Sequence, residues 1–512
     1  MKKYLYIIII LLSLTSCNDF LNRSPLSDLS PENYFKDKTQ MANWNAGIYG
    51  AFQSALQRNQ TIFGDCRSDN VETTGYVNNN IYMNALVPSM SESSWQPFYQ
   101  CISRCNIGIS KYPTIPSILE SEYAPYMGQA YGMRAFMYFY ATRVWGRLPI
   151  VNDMWDGSLA DINTPRSSLE EVKEQILSDI NMAIKYFSIS NTSSNFYLGL
   201  SAMHELKTEV YMWYGDYQEA LDESNYFINN SNYALASDEV EWKKIFTDPG
   251  ASKEVIFAMS WEYTNNGASS GWPGTMGASN TNNGYQISQS IFEEFVDRLY
   301  SGEGADARFW NTVDTVALYY KANRVPMSYA HYSATGIQKC IKYSEKDANA
   351  DYDTTNKIYK SYWSVLNTTD SQIQQVFMRL ANVYYLRAEA LNKLGRGSEA
   401  LDIINLLRQR VGYFRDASND VSSVDNQEEV EDLILLERQL EFYGEGQRWF
   451  DLMRTGKLIS VMGPIYSQRQ NDAGVTVTGF GDEGTKYWPI YYREFESNSA
   501  LKGDQNSPYP ER

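Results

Sequence analysis

The side chains able to do covalent or metal chemistry are few, and their spacing does not suit it. The chain of 512 residues has only two histidines, His204 and His331, so imidazole acid–base chemistry has two places to sit. His204 falls within a helical pattern and His331 in an irregular stretch, and no serine and acid complete a triad around either. Cys101 and Cys105 stand one helical turn apart, but no histidine lies at zinc-motif spacing from them. With Cys66 and Cys340 they read as buried thiols, too scattered for a disulfide framework. Asp347, Asn349, Asp351 and Asp353 alternate like the first ligands of an EF-hand, yet Tyr352 occupies the obligatory glycine position and Ile358 that of the bidentate glutamate. A solvated acidic turn is expected there, with a looser structural calcium loop as the alternative and no other cofactor. Gly479-Phe480-Gly481-Asp482-Glu483-Gly484 is a literal GxGxxG, but Thr485 to Pro489 opens no helix, so the motif lacks its phosphate-binding N-terminus and reads as a turn. Glu293 and Glu294 are adjacent, which gives none of the ~5–9.5 Å separation that glycoside cleavage requires. With sixty-one acids in the chain such pairs arise by chance, and none of these patterns makes a persuasive catalytic site.

What the sequence has in quantity is rings. Forty tyrosines and twelve tryptophans exceed what a polar chain hides easily, so some must sit at the surface, where a flat apolar face with a polar rim is useful. Helical cores also consume aromatics, and most of these rings will be structural. The net charge of −17, with no long basic run, leaves no electrostatic footprint for nucleic acid.

The elements that must position these rings begin after residue 16. Lys2 and Lys3, the apolar run Tyr4–Leu12, and Leu14-Thr15-Ser16-Cys17 follow the order of a secretory signal. The run is short of the ~20 residues that span a bilayer. Leu-Thr-Ser-Cys resembles the bacterial lipobox, in which the cysteine, here Cys17, becomes the first mature residue and carries the lipid, so acyl chains replace a membrane helix. Removing residues 1–16 takes away Lys2 and Lys3 and no acid, which moves the charge from −17 to −19. The roughly 495 residues that remain exceed one ordinary compact core.

Apolar residues recur at helical spacing over Met41–Leu56, Trp95–Ser110, Tyr126–Trp145, Leu169–Phe187, Ser201–Tyr214, Tyr217–Ile228, Val376–Leu394, Ser398–Val411 and Val430–Leu452. Ser167-Ser168-Leu169-Glu170 reads as a capping box. Two stretches match each other: Lys207-Thr208-Glu209 with Tyr214-Gly215-Asp216-Tyr217-Gln218-Glu219-Ala220-Leu221, and Arg387-Ala388-Glu389 with Leu394-Gly395-Arg396-Gly397-Ser398-Glu399-Ala400-Leu401. Each is a helix, a glycine turn and a second helix, the logic of a tetratricopeptide repeat. A degenerate third copy begins at Ala130. The expected fold is mainly α: dispersed tetratricopeptide-like helical repeats forming a right-handed scaffold, about 41–228 and 376–455, with long irregular insertions and a few short strands. The irregular parts are 61–94, 260–370 and the tail after Gly456, where Val475–Thr478 looks strand-like. Long loops inside an ordered protein are usually functional.

The C-terminal pattern Glu437-Arg438, Glu441-Phe442, Gly444-Glu445-Gly446, Arg448, Asp451-Leu452, Arg454 and Gly456 resembles the signature of the SusD/RagB family of outer-membrane nutrient-binding lipoproteins. Cys17-Asn18-Asp19-Phe20-Leu21, Trp95 with Tyr99, Ile102 and Asn106, Arg134-Ala135, Pro149, Trp488-Pro489-Ile490, Asn498 and Gln505-Asn506 agree with it. The likeness runs over the whole mature chain, 17–512, as a single domain. Read physically, Glu437, Arg438, Glu441, Arg448 and Asp451 lie on one amphipathic helix and its glycines, as paired charges holding a scaffold; Arg448 is expected to face Glu441 or Asp451.

The resemblance implies a lipid-anchored protein on the outer face of the outer membrane. It would capture an oligosaccharide or polysaccharide and hand it to a SusC-like TonB-dependent transporter. A RagB-like peptide binder on the same scaffold is the alternative, and a surface glycosidase a more distant one. Sugars pack C–H faces on rings and exchange hydrogen bonds with Asp, Asn, Gln and Arg. The irregular segments supply both: Arg67, Asp69, Asn70, Tyr76 and Tyr82 from the first, and Trp261, Tyr263, Trp272 and Tyr285 from the variable insertion 260–370.

Overall fold

The computed structural model describes residues 34–73, 79–154, 163–192, 194–228, 230–262, 269–277, 285–304, 306–313, 340–346, 352–353, 358–359, 363–365 and 372–512. Helices dominate. α1 (Lys38–Leu56) opens on Asp37, whose carboxylate accepts from the Gln40 amide at 3.0 Å. The short α2 (Asn59–Gly64) leads to strand β1 (Val71–Thr73). Then follow α3 (Gln96–Lys111), α4 (Glu120–Trp145), α5 (Leu169–Ile189), α6 (Leu200–Tyr214) and α7 (Tyr217–Ile228). The capping box of α5 is built on Ser168, one residue beyond the expected Ser167. Its hydroxyl accepts from the Glu171 amide at 3.2 Å, and the Glu171 carboxylate accepts from the Ser168 amide at 2.8 Å.

Between α7 and the second repeat lie α8 (Glu239–Thr247), β2 (Val255–Ser260), β3 (Tyr285–Ile287), α9 (Gln289–Tyr300) and β4 (Gln374–Arg379). The chain then forms α10 (Leu380–Lys393), α11 (Gly397–Gln409), α12 (Gln427–Phe442), α13 (Arg448–Arg454) and α14 (Leu458–Asp472). The helices pack in succession: α1 on α3, α3 on α4, α4 on α5, α5 on α6, α6 on α7, then α7 on α10 and α10 on α11. The two matching repeats are thus far apart in sequence and adjacent in space, and α4 with α5 supplies the third pair. Gly215 and Gly395 end the first helix of their repeats at φ 82° and 76°, the left-handed region where only glycine is unstrained.

Three expected elements differ. The helix expected over Val376–Leu394 begins as strand, because β4 pairs antiparallel with β2 (Met259 opposite Gln375, Ser260 opposite Gln374) and is buried along most of its length. A short unbroken apolar run such as Val376-Phe377-Met378 fits either element. The helix expected over Val430–Leu452 is two, α12 and α13, split where Gly444 and Gly446 adopt φ 78° and 75°. That turn receives α2 at backbone contact: a Cβ on Gly64 would stand 1.9 Å from the Gly446 carbonyl oxygen. Val475–Thr478 forms no strand. The Gln470 side chain accepts from the Thr478 and Gly479 amides at 2.7 and 2.9 Å, and this fixes the stretch as a loop. The GxGxxG segment is a turn, as expected, with Gly479 and Gly481 at φ 61° and 78°.

The signature charges are buried and mutually paired. Glu437 meets Arg298, Arg308 and Arg408 at 2.8, 3.0 and 2.7 Å. Glu441 meets Arg379 at 2.7 Å, Arg308 at 3.4 Å, and Arg410. Burial pushes both carboxyls up, but the surrounding guanidinia outweigh it and hold both well below the usual carboxylate range. Arg438 grips both oxygens of Asp451 at 2.8 Å. Arg448 does not face Glu441 or Asp451. It grips both oxygens of Asp69 at 2.8 Å, and so ties α13 to the first irregular segment.

Candidate functional site

The two irregular segments chosen from sequence meet. β1 and β3 form an antiparallel ladder with Val71 opposite Ile287, Glu72 opposite Gln286 and Thr73 opposite Tyr285. Most of the selected side chains nevertheless face inward. Arg67 is fully buried, donates to the Thr485 carbonyl and Asn84 Oδ1, and lays its guanidinium 3.9 Å from the centre of the Trp449 ring. Asp69 is spent on Arg448 and on Gln439 Nε2 at 3.0 Å. Asn70 donates to Asp65 Oδ1 at 2.7 Å and accepts from Gln439 at 3.1 Å. Trp272 is fully buried, donates from Nε1 to the Gly444 carbonyl at 2.8 Å and meets Tyr343 edge-on. Tyr285 is buried in the ladder. Tyr82 is half-buried beneath Arg469, whose guanidinium lies 3.8 Å from its ring centre. Arg67, Asp69, Asn70, Trp272 and Tyr285 are therefore scaffold residues: their polar atoms serve the protein itself, and glycines around Trp272 make room for close packing instead of exposing the ring. Tyr76 and Tyr263 lie outside the described residues, as do Asp347, Asn349 and Asp351. The backbone of Asp353 pairs with Ile358 in a two-residue ladder. Among the described residues no group of three or more His, Cys, Asp or Glu is placed to hold a metal.

Among the described selected residues, Trp261 lines a cavity. Its volume is about 630 Å³, and it lies along the outward side of α1 and the end of β2. Trp261 is as fully buried as Trp272; it packs its ring on Phe377, with centroids 6.2 Å apart and planes at 27°, and so walls the cavity without offering an exposed face. Facing it, Tyr197 is 43% exposed and stands edge-on to Tyr49 at 5.0 Å, with Phe196 beside it. The Tyr49 hydroxyl accepts from the Leu198 amide at 2.9 Å, and burial holds its pKa well above the ordinary phenol range. It stays a neutral group that fixes the loop carrying Tyr197. Helical spacing of four residues puts Gln53 and Gln57 on one side of α1. They donate to the Ser260 and Ser269 carbonyls at 2.7 and 2.6 Å, and both amide oxygens are uncommitted among the described residues. Ser260 donates to Glu262 at 2.9 Å. Rings flanked by amides and a carboxylate can hold a flat ligand that has both C–H faces and hydroxyls.

The SusD family model matches residues 253–509, half of the chain. The chain belongs to the SusD family. A second model, described as starch-binding associating with outer membrane, matches residues 19–202. The SusD-like protein P38 of Formosa agariphila is 29% identical over 97% of this chain and 96% of its own length. A SusD-like protein of Bacteroides fragilis superposes with a TM-score of 0.70 at 19% identity, covering 95% of this chain and all of that one. A structure titled laminarin binding SusD-like protein gives 0.66 at 18%, over 93% of this chain and all of that one. These structures share the SusD fold.

Three aromatic residues of the Trp261 cavity, Tyr49, Phe196 and Tyr197, escaped the sequence reading. Tyr49 sits inside a regular helical pattern and looks like core. Phe196 and Tyr197 sit in a short connection between helices, and their signal was two adjacent rings inside Ser194-Asn195-Phe196-Tyr197-Leu198-Gly199, where neither has a helical face to cover.

Proposed function

We propose that the protein captures a glycan in the cavity between Tyr197 and Trp261 and carries out no turnover on it. Anchored through acylated Cys17 on the outer face of the outer membrane, it passes the glycan to a SusC-like TonB-dependent transporter. The observation that carries this reading is the half-exposed Tyr197 ring held rigidly by Tyr49 beside the amide oxygens of Gln53 and Gln57, which are uncommitted among the described residues. A rigid ring lowers the ordering cost of binding. The family and the laminarin-binding neighbour point to the same ligand class. The test is calorimetric titration against panels of neutral and acidic glycans and of peptides, with reducing-end release followed in parallel. Tyr197→Ala removes one platform, which by analogy with base stacking costs ~1–3 kcal/mol, about tenfold or more in affinity, with an unchanged melting temperature. Full affinity in this variant moves the site elsewhere, exclusive peptide binding replaces the glycan, and reducing-end release makes the protein an enzyme.

A further inference from the structure

We infer that the Trp261 cavity is the first half of a longer channel, and that its second half, beyond Tyr197, takes the negatively charged part of an extended acidic oligosaccharide. This rests on the glycan reading above and adds to it a ligand class, a minimum length and a direction. The geometry comes from β2. Met259 and Ser260 at one end of the strand line the Trp261 cavity, while Val255 and Ile256 at the other line a second cavity of about 470 Å³. At about 3.3 Å per residue a six-residue strand gives a floor about 16 Å long, longer than one sugar ring. Among the described residues, the wall shared by the two cavities is Tyr197. Its loop crosses the strand midway, where the Asn195 carbonyl accepts from the Ala258 amide at 2.8 Å. A chain passing from one cavity to the other therefore crosses the face of an exposed ring.

The charges supply the rest. The chain has 61 acids against 44 bases, yet among the described residues no Asp or Glu lines the second cavity. Its polar wall includes the amides and hydroxyls of Asn191, Asn230, Asn232, Ser201 and Tyr233, with Lys253 as its one cation among the described residues. Lys253 is exposed and makes no ion pair among the described residues. Neighbouring acids are engaged elsewhere: Glu223 pairs with His204 and Lys207, and Glu254 with Arg379 and Arg410. Asp248 stands near Gly250 but is not part of the wall. A lone cation among neutral hydrogen-bonding groups selects a carboxylate or sulfate over a neutral or cationic substituent. The first cavity is lined by Glu262 instead, and the charged sugar lies at the Lys253 end.

The experiment uses the full mature protein on an array pairing acidic oligosaccharides, from disaccharide to hexasaccharide, with their neutral counterparts: polygalacturonate with its methyl ester, and sulfated with desulfated chains. The channel predicts that an acidic member outbinds its counterpart and that affinity climbs beyond the disaccharide. Lys253→Gln should weaken the acidic ligand about three- to fivefold, the scale of an exposed ion pair, reduce its salt dependence, and leave the neutral counterpart unchanged. Equal binding of acidic and neutral chains overturns the inference, as does an acidic affinity indifferent to Lys253→Gln. If Tyr197→Ala still weakens binding about tenfold or more in that case, the glycan site stands and only its extension falls. A wild-type protein that binds no glycan on the array overturns both.

Discussion

Replacing Glu441 with glutamine keeps the shape of the side chain and removes the charge that Arg308, Arg379 and Arg410 share. Glu441 is fully buried, as are Arg308 and Arg379. Losing one partner of a buried pair costs about 3–5 kcal/mol. Here the network takes up part of the loss, because Arg308 keeps Asp306 and Glu437, Arg379 keeps Glu254 and Glu445, and Arg410 keeps Glu254. The expectation is therefore the lower end, about 3 kcal/mol. At ~2.1 cal/mol/K per residue, a cooperative unit of roughly 495 residues has an unfolding entropy of about 1 kcal/mol/K, so the melting temperature should fall about 3 °C. The sign with pH follows from the depressed carboxyl: its contribution is complete above the ordinary glutamate range and is lost as pH falls toward its folded value. Below about pH 4.3 the gap between wild type and Glu441→Gln should narrow, by at most about 1.4 kcal/mol per pH unit. Denaturant unfolding at pH 7, 5, 4 and 3 reads both effects. Equal stability at pH 7, or a gap that stays constant down to pH 3, would refute the reasoning.

Trp272→Ala should cost about 3–5 kcal/mol, since it empties a buried indole site and strands the Gly444 carbonyl; a stable variant that has lost only glycan binding would return Trp272 to the ligand site. Gly395→Val forces a branched side chain to φ 76° and should cost about 1–2 kcal/mol in a melting experiment, with binding by the folded fraction intact. Under the proposed acyl anchor, Cys17→Ala should move the protein from the membrane to the soluble fraction; unchanged partition would remove the acyl anchor from the account.

The scaffold was legible because its signals are local and repeated. Helical periodicity, the paired glycines at 215 and 395 and the signature charges each determine structure within a few residues. Legibility failed where tertiary pairing decides. β4 is strand only because β2 lies beside it, and Arg448 reaches Asp69 only because α13 folds back over the first segment. The site was less readable still. Arg67, Asp69 and Trp272 have the residue types a sugar site uses, and those same types satisfy buried polar groups when a core is rich in arginine and carbonyls. Composition cannot separate the two uses. Tyr197 carried the better signal, a ring in a connection too short to hide it.

The β1–β3 ladder has an evolutionary consequence. It clamps the two irregular segments at a fixed register, with Val71 opposite Ile287. Insertions or deletions after Thr73 or before Tyr285 leave that register and the helices beneath it untouched, because loop closure grows only slowly in cost with length. Selection can therefore change what directly adjoins the ladder at those two points, in size as well as in residue type, without renegotiating the stability of the rest.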